Sequence, residues 1–283
     1  MTVLPFIEQQ ITTSGDASAT RRLRWSMAGL RPIVLPLLFF LLWLGGWEWV
    51  VDHFPASRSV LASPSEIAAV LVKSFPLLVP HIVSTACDTL LGFALAVVVG
   101  VALGGALAQF HRLNQALFPH LVLFQIVPKI ALAPLFVIWL GVGTESRLVF
   151  ALFLSFFPIA AATAAGLSST RPEALRLCAA LNAPRWRTFL CVRVPFAIPA
   201  LFAGLKMGMT MALIGTIVGE FVTGQEGLGY VVMFAAAGAD NALTFAALAL
   251  LCAVGLLIYG AVVLAEVVTQ RWYGAPFVTE GFN

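Results

Sequence analysis

The feature that most constrains this chain is a series of apolar runs, each long enough to cross a lipid bilayer. A transmembrane helix needs about 20 predominantly apolar residues, and these runs are rich in alanine, leucine and valine. They cover residues 32–51, 82–109, 117–140, 147–168, 196–221 and 244–268. The sequence therefore predicts an all-α, polytopic membrane protein with about six transmembrane helices.

Composition supports this prediction, because 60% of the residues are apolar and only 10% are charged. Soluble globular domains carry about 25% charged residues, so this chain lacks the polar surface that a water-soluble fold needs. Its net charge of +3 is too small to indicate a nucleic-acid partner. The second run contains Gly92, Gly100, Gly104 and Gly105. Small residues of this kind allow neighbouring membrane helices to approach closely.

The segments around the runs indicate a domain organisation. We expect residues 1–31 to form a cytoplasmic N-terminal segment, 32–273 a single transmembrane domain, and 274–283 a cytoplasmic tail. The sequence Ser63-Pro64-Ser65-Glu66 has the residue types that favour a helix start. We expect the helix that it opens, which runs through Lys73, to be amphipathic and to lie at the membrane surface.

Basic residues in the short loops give the chain a direction. Six spans make successive loops alternate between the two sides, and Lys and Arg collect on the cytoplasmic side. Eleven fall on one side and three on the other, which predicts that both termini lie in the cytoplasm. The eleven are Arg21, Arg22, Arg24, Arg31, Arg112, Arg171, Arg176, Arg185, Arg187, Arg193 and Arg271; the three are Arg58, Lys73 and Arg147.

The most informative polar interruption is the segment 169–195, on the predicted cytoplasmic side. Pro172 suits the first turn of a helix, and Asn182 can take the left-handed conformation that ends one. Pro184 then suits the start of a second short helix, which we expect Pro195 to stop. Such a corner could be a solvated loop, bind anionic lipid head groups, or dock into a cytoplasmic partner, for which Trp and Arg are typical anchors.

This loop resembles the cytoplasmic motif of permeases in binding-protein-dependent ATP-binding-cassette (ABC) importers, which reads EAA, three residues, glycine, nine residues and I-x-L-P. Aligned on its proline, the chain has Val192-Arg193-Val194-Pro195 at the end of the motif. Leu181-Asn182-Ala183-Pro184-Arg185-Trp186 stands where the family commonly has L-G-A-S-R-W. The chain departs at the triplet, which falls on Arg176-Leu177-Cys178, and at the glycine, which falls on Asn182. Glu173-Ala174 is out of register by three.

Further motifs resemble the nitrate, sulfonate and taurine branch of these permeases, in the family's order, over about residues 35–273. Ser63-Pro64-Ser65 is similar to the first external loop of that branch. The others are Pro128-Lys129-Ile130-Ala131-Leu132-Ala133-Pro134-Leu135, Trp139-Leu140-Gly141-Val142-Gly143, Gly219-Glu220-Phe221 and Gly227-Leu228-Gly229-Tyr230.

The resemblance implies a type I ABC importer permease fold and a homodimer that moves a solute by alternating access. Two cytoplasmic ATPase subunits would dock on the loop, and an extracytoplasmic solute-binding protein would deliver the solute. The chain has no Gly-x-x-x-x-Gly-Lys-Ser/Thr phosphate loop, so partner subunits would bind ATP and magnesium, and the chain itself is not expected to be an enzyme. The residues expected to couple to the ATPase are Glu173, Arg176, Leu181, Asn182, Ala183, Pro184, Arg185, Trp186 and Pro195.

Several side chains within the spans are candidates for the translocation pathway. Lys129 is costly in a membrane unless it faces protein or water; it either attracts an anionic solute or extends to the cytoplasmic head groups. Gln125 is four residues earlier and would share its helix face. Met207 and Met211 either line an adaptable cavity or pack in the core. Glu220, like Lys206, has either a structural partner or a pathway role.

Other functional classes are less well supported. A secondary transporter or channel would couple through acids inside its spans, and such acids are rare here; Glu48 and Glu220 lie near span ends. A membrane enzyme would need clustered catalytic groups, whereas the four histidines and four cysteines show no metal-binding or catalytic spacing. An assembly subunit without a pathway also stays open.

The expected solute is small and anionic or zwitterionic, such as nitrate, a sulfonate, taurine or a related organic compound.

Overall fold

The computed structural model describes residues 17–54 and 60–273. All regular secondary structure within those ranges is helical. The helices are α1 (Ala17–His53), α2 (Pro64–Gln109), α3 (His111–Ile126), α4 (Ala133–Leu140), α5 (Thr144–Ser168), α6 (Pro172–Ala180), α7 (Arg185–Thr188), α8 (Val194–Thr223), α9 (Leu228–Ala237) and α10 (Asn241–Tyr273). A 3₁₀ turn, Lys129–Leu132, precedes α4, and a π-helical segment, Phe189–Arg193, joins α7 to α8.

The predicted all-α membrane architecture is confirmed. Among the described residues, five helical stretches are long and apolar enough to cross a membrane, and a bent pair makes a sixth. The stretches are Val34–His53, Pro64–Gln109, Thr144–Ser168, Arg185–Thr223 and Asn241–Trp272; the bent pair is His111–Ile126 with Lys129–Leu140. The terminal segments predicted for residues 1–16 and 274–283 lie outside the described residues.

The third span corrects the expectation of one continuous helix over 117–140. Helix α3 ends at Ile126, and the chain after it turns by 88°. Val127 is extended, with φ −61° and ψ 133°, because the ring of a following proline disfavours the helical conformation. Pro128 also has no N–H with which to continue the hydrogen bonds of α3. The span is therefore broken near its middle.

The start of α2 was predicted correctly, but its extent was not. Ser63 and Glu66 form a reciprocal capping box: each backbone N–H donates to the other side chain at 3.2 Å. The helix then continues for 46 residues, through Pro76 and Pro80, to Gln109. At 1.5 Å per residue it is about 69 Å long, so the helix expected to run through Lys73 is continuous with the second span, and its position at the membrane surface stays a prediction.

Close packing of α2 on α5 depends on three of the four predicted glycines. A side-chain carbon added at Gly92 would lie 2.7 Å from the Ala151 Cβ, and one at Gly104 would lie 2.5 Å from the Ala160 carbonyl oxygen. Gly100 makes a similar approach to Ile159. These separations are too short for a larger residue, so the expectation of close helix approach is confirmed there. Gly105 has open space beside it.

Helix α8 also packs on α5 and also presents glycines to it. An added carbon at Gly208 would lie 2.6 Å from Ile159, and one at Gly215 would lie 2.7 Å from the Ala151 Cα. Helices α2 and α8 therefore approach the same two residues of α5 from two directions. Since half of the apolar window of α5 is buried, α5 is the central helix of this part of the chain.

Helices α4, α9 and α10 complete the packing. Phe136 of α4 lies 5.2 Å, ring centre to ring centre, from both Phe150 and Phe153 of α5. A second apolar cluster joins α9 and α10 to α2 and α8. Its buried members are Leu78, Met209, Leu228, Val231, Val232, Ala247, Leu251, Val254 and Ile258.

Adjacent glycines of α2 provide a matched test of this packing. Gly104→Ala places a methyl group against the Ala160 carbonyl, so we expect it to lower the free energy of unfolding by about 1–3 kcal/mol. Gly105→Ala, one residue along the same helix, has free space and serves as the control. Thermal denaturation of the detergent-solubilised variants measures the difference. Equal melting temperatures for the two variants would contradict the close approach of α2 and α5.

Candidate functional site

The predicted cytoplasmic corner forms as expected around Asn182. Helix α6 ends with the Asn182 N–H donating to the Ala179 carbonyl at 3.0 Å and the Ala183 N–H donating to the Cys178 carbonyl at 2.9 Å. This pair of bonds is a Schellman motif, which requires a left-handed residue. Asn182 supplies it with φ 49°. Asparagine therefore fills the position where the resemblance expects glycine.

The second half of the corner differs from the prediction. Pro195 was expected to stop the second short helix, but α7 continues through the π-helical segment into α8, so that Arg185–Thr223 is one helical stretch. The Val194 N–H bonds to the Phe189 carbonyl, five residues back. Pro195 follows directly as the second residue of α8. The wider π turn is what allows the proline to be passed without a break.

The corner carries exposed apolar side chains within a basic loop. Leu177 is 62% exposed, Leu181 72% and Trp186 61%. The Arg187 guanidinium lies 5.3 Å from the centre of the Trp186 ring, a cation–π distance. Exposed apolar groups that are clustered and rimmed by charge are typical of a protein-binding surface.

A groove of about 950 Å³ lies between this corner and the end of α2. The side chains that line it from α2 and the residue after it include Ala106, Gln109 and Phe110; those from the corner include Cys178, Ala183, Arg185, Trp186 and Arg193. Of the predicted coupling residues, Ala183, Arg185 and Trp186 therefore share one surface. Glu173, Arg176, Asn182 and Pro184 are exposed beside it, and Pro195 is half-buried.

An ionic cluster lies at the other end of α5, where Arg147 and Asp88 are buried and Glu226 is exposed. This side chain was assigned to an external loop in the sequence analysis, but it is only 1% exposed. Its Nε lies 2.7 Å from Asp88 Oδ2, and its Nη2 lies 2.7 Å from Glu226 Oε1 and 3.1 Å from Thr144 Oγ1. One guanidinium thus joins α2, α5 and the loop between α8 and α9.

Glu220 belongs to a second buried network beside that cluster. The Thr85 hydroxyl donates to Glu220 Oε1 at 2.6 Å, and the Gly229 N–H donates to Oε2 at 2.7 Å. The Leu228 N–H in turn donates to Thr85 Oγ1 at 2.8 Å. Both carboxylate oxygens are therefore bonded in a fully buried position. These contacts favour the structural role for Glu220 over a pathway role.

The same network explains the Gly-Leu-Gly motif. Gly227 has φ +97°, and a side-chain carbon at this position would collide with the Glu220 carboxylate. At Gly229 such a carbon would lie 2.8 Å from Glu220 Oε2. The Gly227 N–H also donates to His81 Nδ1 at 3.1 Å. The acidic residue and the glycines are thus parts of one unit: the glycines leave room for the carboxylate that their loop binds.

Lys129 lies at the break of the third span, in the 3₁₀ turn, and is half-buried. Its ammonium is 5.0 Å from the centre of the Phe157 ring of α5. The expectation that Gln125 shares a helix face with Lys129 is wrong, because α3 ends at Ile126, between the two residues. Gln125 is exposed on the preceding helix.

Lys206 and the two candidate methionines, Met207 and Met211, have different surroundings. Lys206 Nζ lies 2.9 Å from Glu266 Oε2, which gives it a structural partner on another helix, one of the two alternatives left open by the sequence. Met211 packs against the buried cluster that contains Phe136 and Phe150. Met207 is exposed.

Arg147 offers a test of the ionic cluster. Arg147→Met leaves the buried Asp88 carboxylate without its partner, so we expect a loss of about 3–5 kcal/mol in the free energy of unfolding. The double variant Asp88→Asn/Arg147→Met should recover part of that loss. Thermal denaturation in detergent measures both, with Arg112→Met, an exposed arginine, as control. A double variant no more stable than Arg147→Met alone would contradict the pairing.

Asn182 offers a test of the corner. Asn182→Gly keeps the left-handed turn and is expected to leave stability unchanged or slightly higher. Asn182→Ala should cost about 1 kcal/mol, because alanine keeps the Cβ that crowds the left-handed conformation and loses the polar side chain whose local hydrogen bonds offset that crowding in asparagine. Leu181→Ala, one residue earlier with an ordinary φ of −82°, is the control. The rate of proteolytic cleavage within 169–195 reports opening of the corner. Equal rates for the glycine and alanine variants at 182 would contradict the assigned turn.

Comparison with known proteins places these features in a family. Residues 92–273 match the family described as binding-protein-dependent transport system inner membrane component. The chain is 35% identical over 254 residues to a riboflavin transport system permease protein of Chloroflexus aurantiacus, covering 89% of this chain and 92% of that one. It is 32% identical over 238 residues to a formylaminopyrimidine transport permease protein of Halalkalibacterium halodurans, covering 84% and 95%.

A taurine transport system permease protein of Escherichia coli is 26% identical over 247 residues, covering 84% of this chain and 90% of that one. The resemblance inferred from the motifs, including the branch that carries taurine permeases, is therefore confirmed. The chain belongs to the family of ABC transporter permeases, as a binding-protein-dependent transport system inner membrane component.

Proposed function

We propose that this chain is the membrane-spanning subunit of an ABC importer that moves a small organic solute into the cytoplasm by alternating access. It would work as a pair of identical copies in the bacterial inner membrane, with both termini in the cytoplasm. Two ATP-binding subunits and an extracytoplasmic solute-binding protein would complete the transporter. Membership of a binding-protein-dependent family supports the importing direction.

The observation that carries the proposal is the exposed apolar surface at the corner. Leu181 and Trp186 are mostly exposed in a segment that is otherwise basic, and they lie at the end of a helix pair that leads into a span. A solvated loop would not need exposed apolar side chains, whereas docking into a partner would bury them. We therefore assign the corner to ATPase docking, with Ala183 and Arg185 at its centre.

The corner is also built to transmit movement. Arg185–Thr223 is one helical stretch of 39 residues, which at 1.5 Å per residue is about 58 Å long. Its first end carries the docking residues, and its last turn carries Glu220. A push on the corner would therefore move α8 as a rigid body, together with the buried network at its far end.

The solute belongs to a wider range than the sequence alone favoured. Two relatives above 30% identity are named for riboflavin and formylaminopyrimidine transport, and the relative named for taurine transport is less similar. We therefore propose an organic solute that includes heterocyclic compounds as well as sulfonates. Lys129, with the exposed Gln125 and Met207, is proposed to line the pathway; the contacts of Glu220 and Met211 support structural roles.

Acidic substitutions at the corner test the docking assignment. Ala183→Asp/Arg185→Asp should weaken association with the ATPase subunit at least about tenfold, because two central contacts are lost and an acidic charge is introduced at each position. Co-purification with a tagged ATPase subunit and vanadate-sensitive ATP hydrolysis measure the effect.

The matched control is Arg112→Asp, which reverses a charge on the same predicted side outside the corner. It should retain the ATPase subunit. The docking assignment fails if the double variant co-purifies with the ATPase and transports normally. The ABC function itself fails if the unmodified chain forms no complex that hydrolyses ATP.

A further inference from the structure

The two lysines inside the spans differ in one respect that bears on the solute. Lys206 is paired with Glu266 at 2.9 Å. Lys129 makes no ion pair with any carboxylate in the described ranges 17–54 and 60–273, and its assigned contact is the Phe157 ring. An ammonium within a membrane segment needs compensation by protein, water or a ligand. Lys129 therefore lacks the anion that Lys206 has.

The backbone around Lys129 points to a cavity. Val127 and Pro128 lie outside α3 and outside the 3₁₀ turn that follows, so the third span is interrupted at membrane depth. Non-helical backbone at this depth is tolerated only where it is buried in protein or lines a water-filled space. Val127, Pro128 and Ile130 are all exposed in the single chain, so this backbone faces either a water-filled space or the second copy, and the reactivity of position 130 toward charged thiol reagents distinguishes the two. Interrupted spans of this kind commonly form solute sites in transporters.

One aromatic ring contacts the ammonium, and a second ring packs on the first. Phe157 is only 4% exposed, whereas Phe124 is 47% exposed, and the two ring centres are 5.6 Å apart. Phe157 therefore supports Lys129 from within the protein, and Phe124 offers an accessible ring next to Phe157. A ligand bound here would meet a positive charge and an aromatic surface together.

We propose that the break of the third span is a binding site for an aromatic or heteroaromatic solute that carries an anionic group. The Lys129 ammonium pairs with the anionic group, and the ring of the solute stacks on Phe124 in offset or edge-to-face geometry. A purely aliphatic anion gains the charge interaction alone. This inference rests on the proposed transport function, and it deepens that function by naming the chemical class of the solute.

Thiol labelling beside Lys129 tests the site without knowledge of the natural solute. The four native cysteines are replaced by serine in the full chain, and Ile130→Cys is introduced and labelled in membrane vesicles with anionic (sulfonatoethyl) and cationic (trimethylammonioethyl) methanethiosulfonates. We expect both reagents to react. One unit charge about 4 Å away in water changes each rate about fivefold, in opposite directions for the two reagents, so Lys129→Gln should lower the anionic-to-cationic rate ratio by at least about fivefold. Lys73→Gln, which removes an exposed lysine of α2, should leave the ratio unchanged.

A matched pair of anions separates charge from aromaticity. Benzenesulfonate and cyclohexanesulfonate have the same charge and ring size, and at equal millimolar concentrations benzenesulfonate should protect Cys at position 130 more strongly. Phe124→Leu should abolish that difference, and Lys129→Gln should abolish protection by both. Ile126→Cys, on the other side of the break, repeats the measurement if the Ile130 variant does not fold.

Four outcomes would overturn the site: no reaction with either reagent, a rate ratio unaffected by Lys129→Gln, no protection by benzenesulfonate, or equal protection by the two sulfonates. Assembly with the ATPase subunit is scored separately on the same preparations. A chain that assembles and hydrolyses ATP but fails the labelling test retains the proposed function and loses the site. A chain that passes the labelling test but does not assemble loses the ABC function instead.

Discussion

The buried guanidinium of Arg147 is the interaction on which the organisation of the chain from α2 onwards most depends. A charge in a low-dielectric interior is tolerated only when it is paired and hydrogen-bonded. Arg147 meets Asp88 of α2 and Glu226 of the loop after α8, both at 2.7 Å. Because neither carboxylate is close in sequence to Arg147, satisfying this charge fixes three separate segments against one another. The neighbouring Glu220 network adds α9 to the same arrangement.

Helix α5 is held by polar pairing at one end and by close packing along its length. Glycines of α2 and α8 face Ala151 and Ile159 from two directions, and in lipid such packing replaces the hydrophobic drive between helices. The combination makes a rigid unit that has the Arg147 and Glu220 networks at one end and the corner of α6 and α7 at the other. A unit of this kind suits a transporter that moves segments as rigid bodies, because force applied at the corner is not absorbed by loose packing.

Several local features were predictable because they depend on neighbours in the sequence. The capping box of Ser63 and Glu66, the left-handed turn at Asn182 and the presence of apolar stretches long enough to cross a membrane all follow from short-range rules. Other expectations were wrong where a local rule met a larger constraint. Pro195 does not end its helix, because the π-helical segment before it allows the proline to be passed without a break. The apolar run 117–140 is long enough for one helix, yet Pro128 divides it.

By itself, the sequence determined that the chain crosses a membrane about six times, that its most polar loop forms a helical corner, and which family's motifs it carries. These properties are encoded in residue type and spacing along one segment at a time. Only the tertiary structure decided that Arg147 is buried, that Glu220 binds the Gly-Leu-Gly loop, and that Lys129 lies against Phe157 while Lys206 pairs with Glu266. Each of these depends on residues that are distant in sequence, and their pairing is set by which helices pack together.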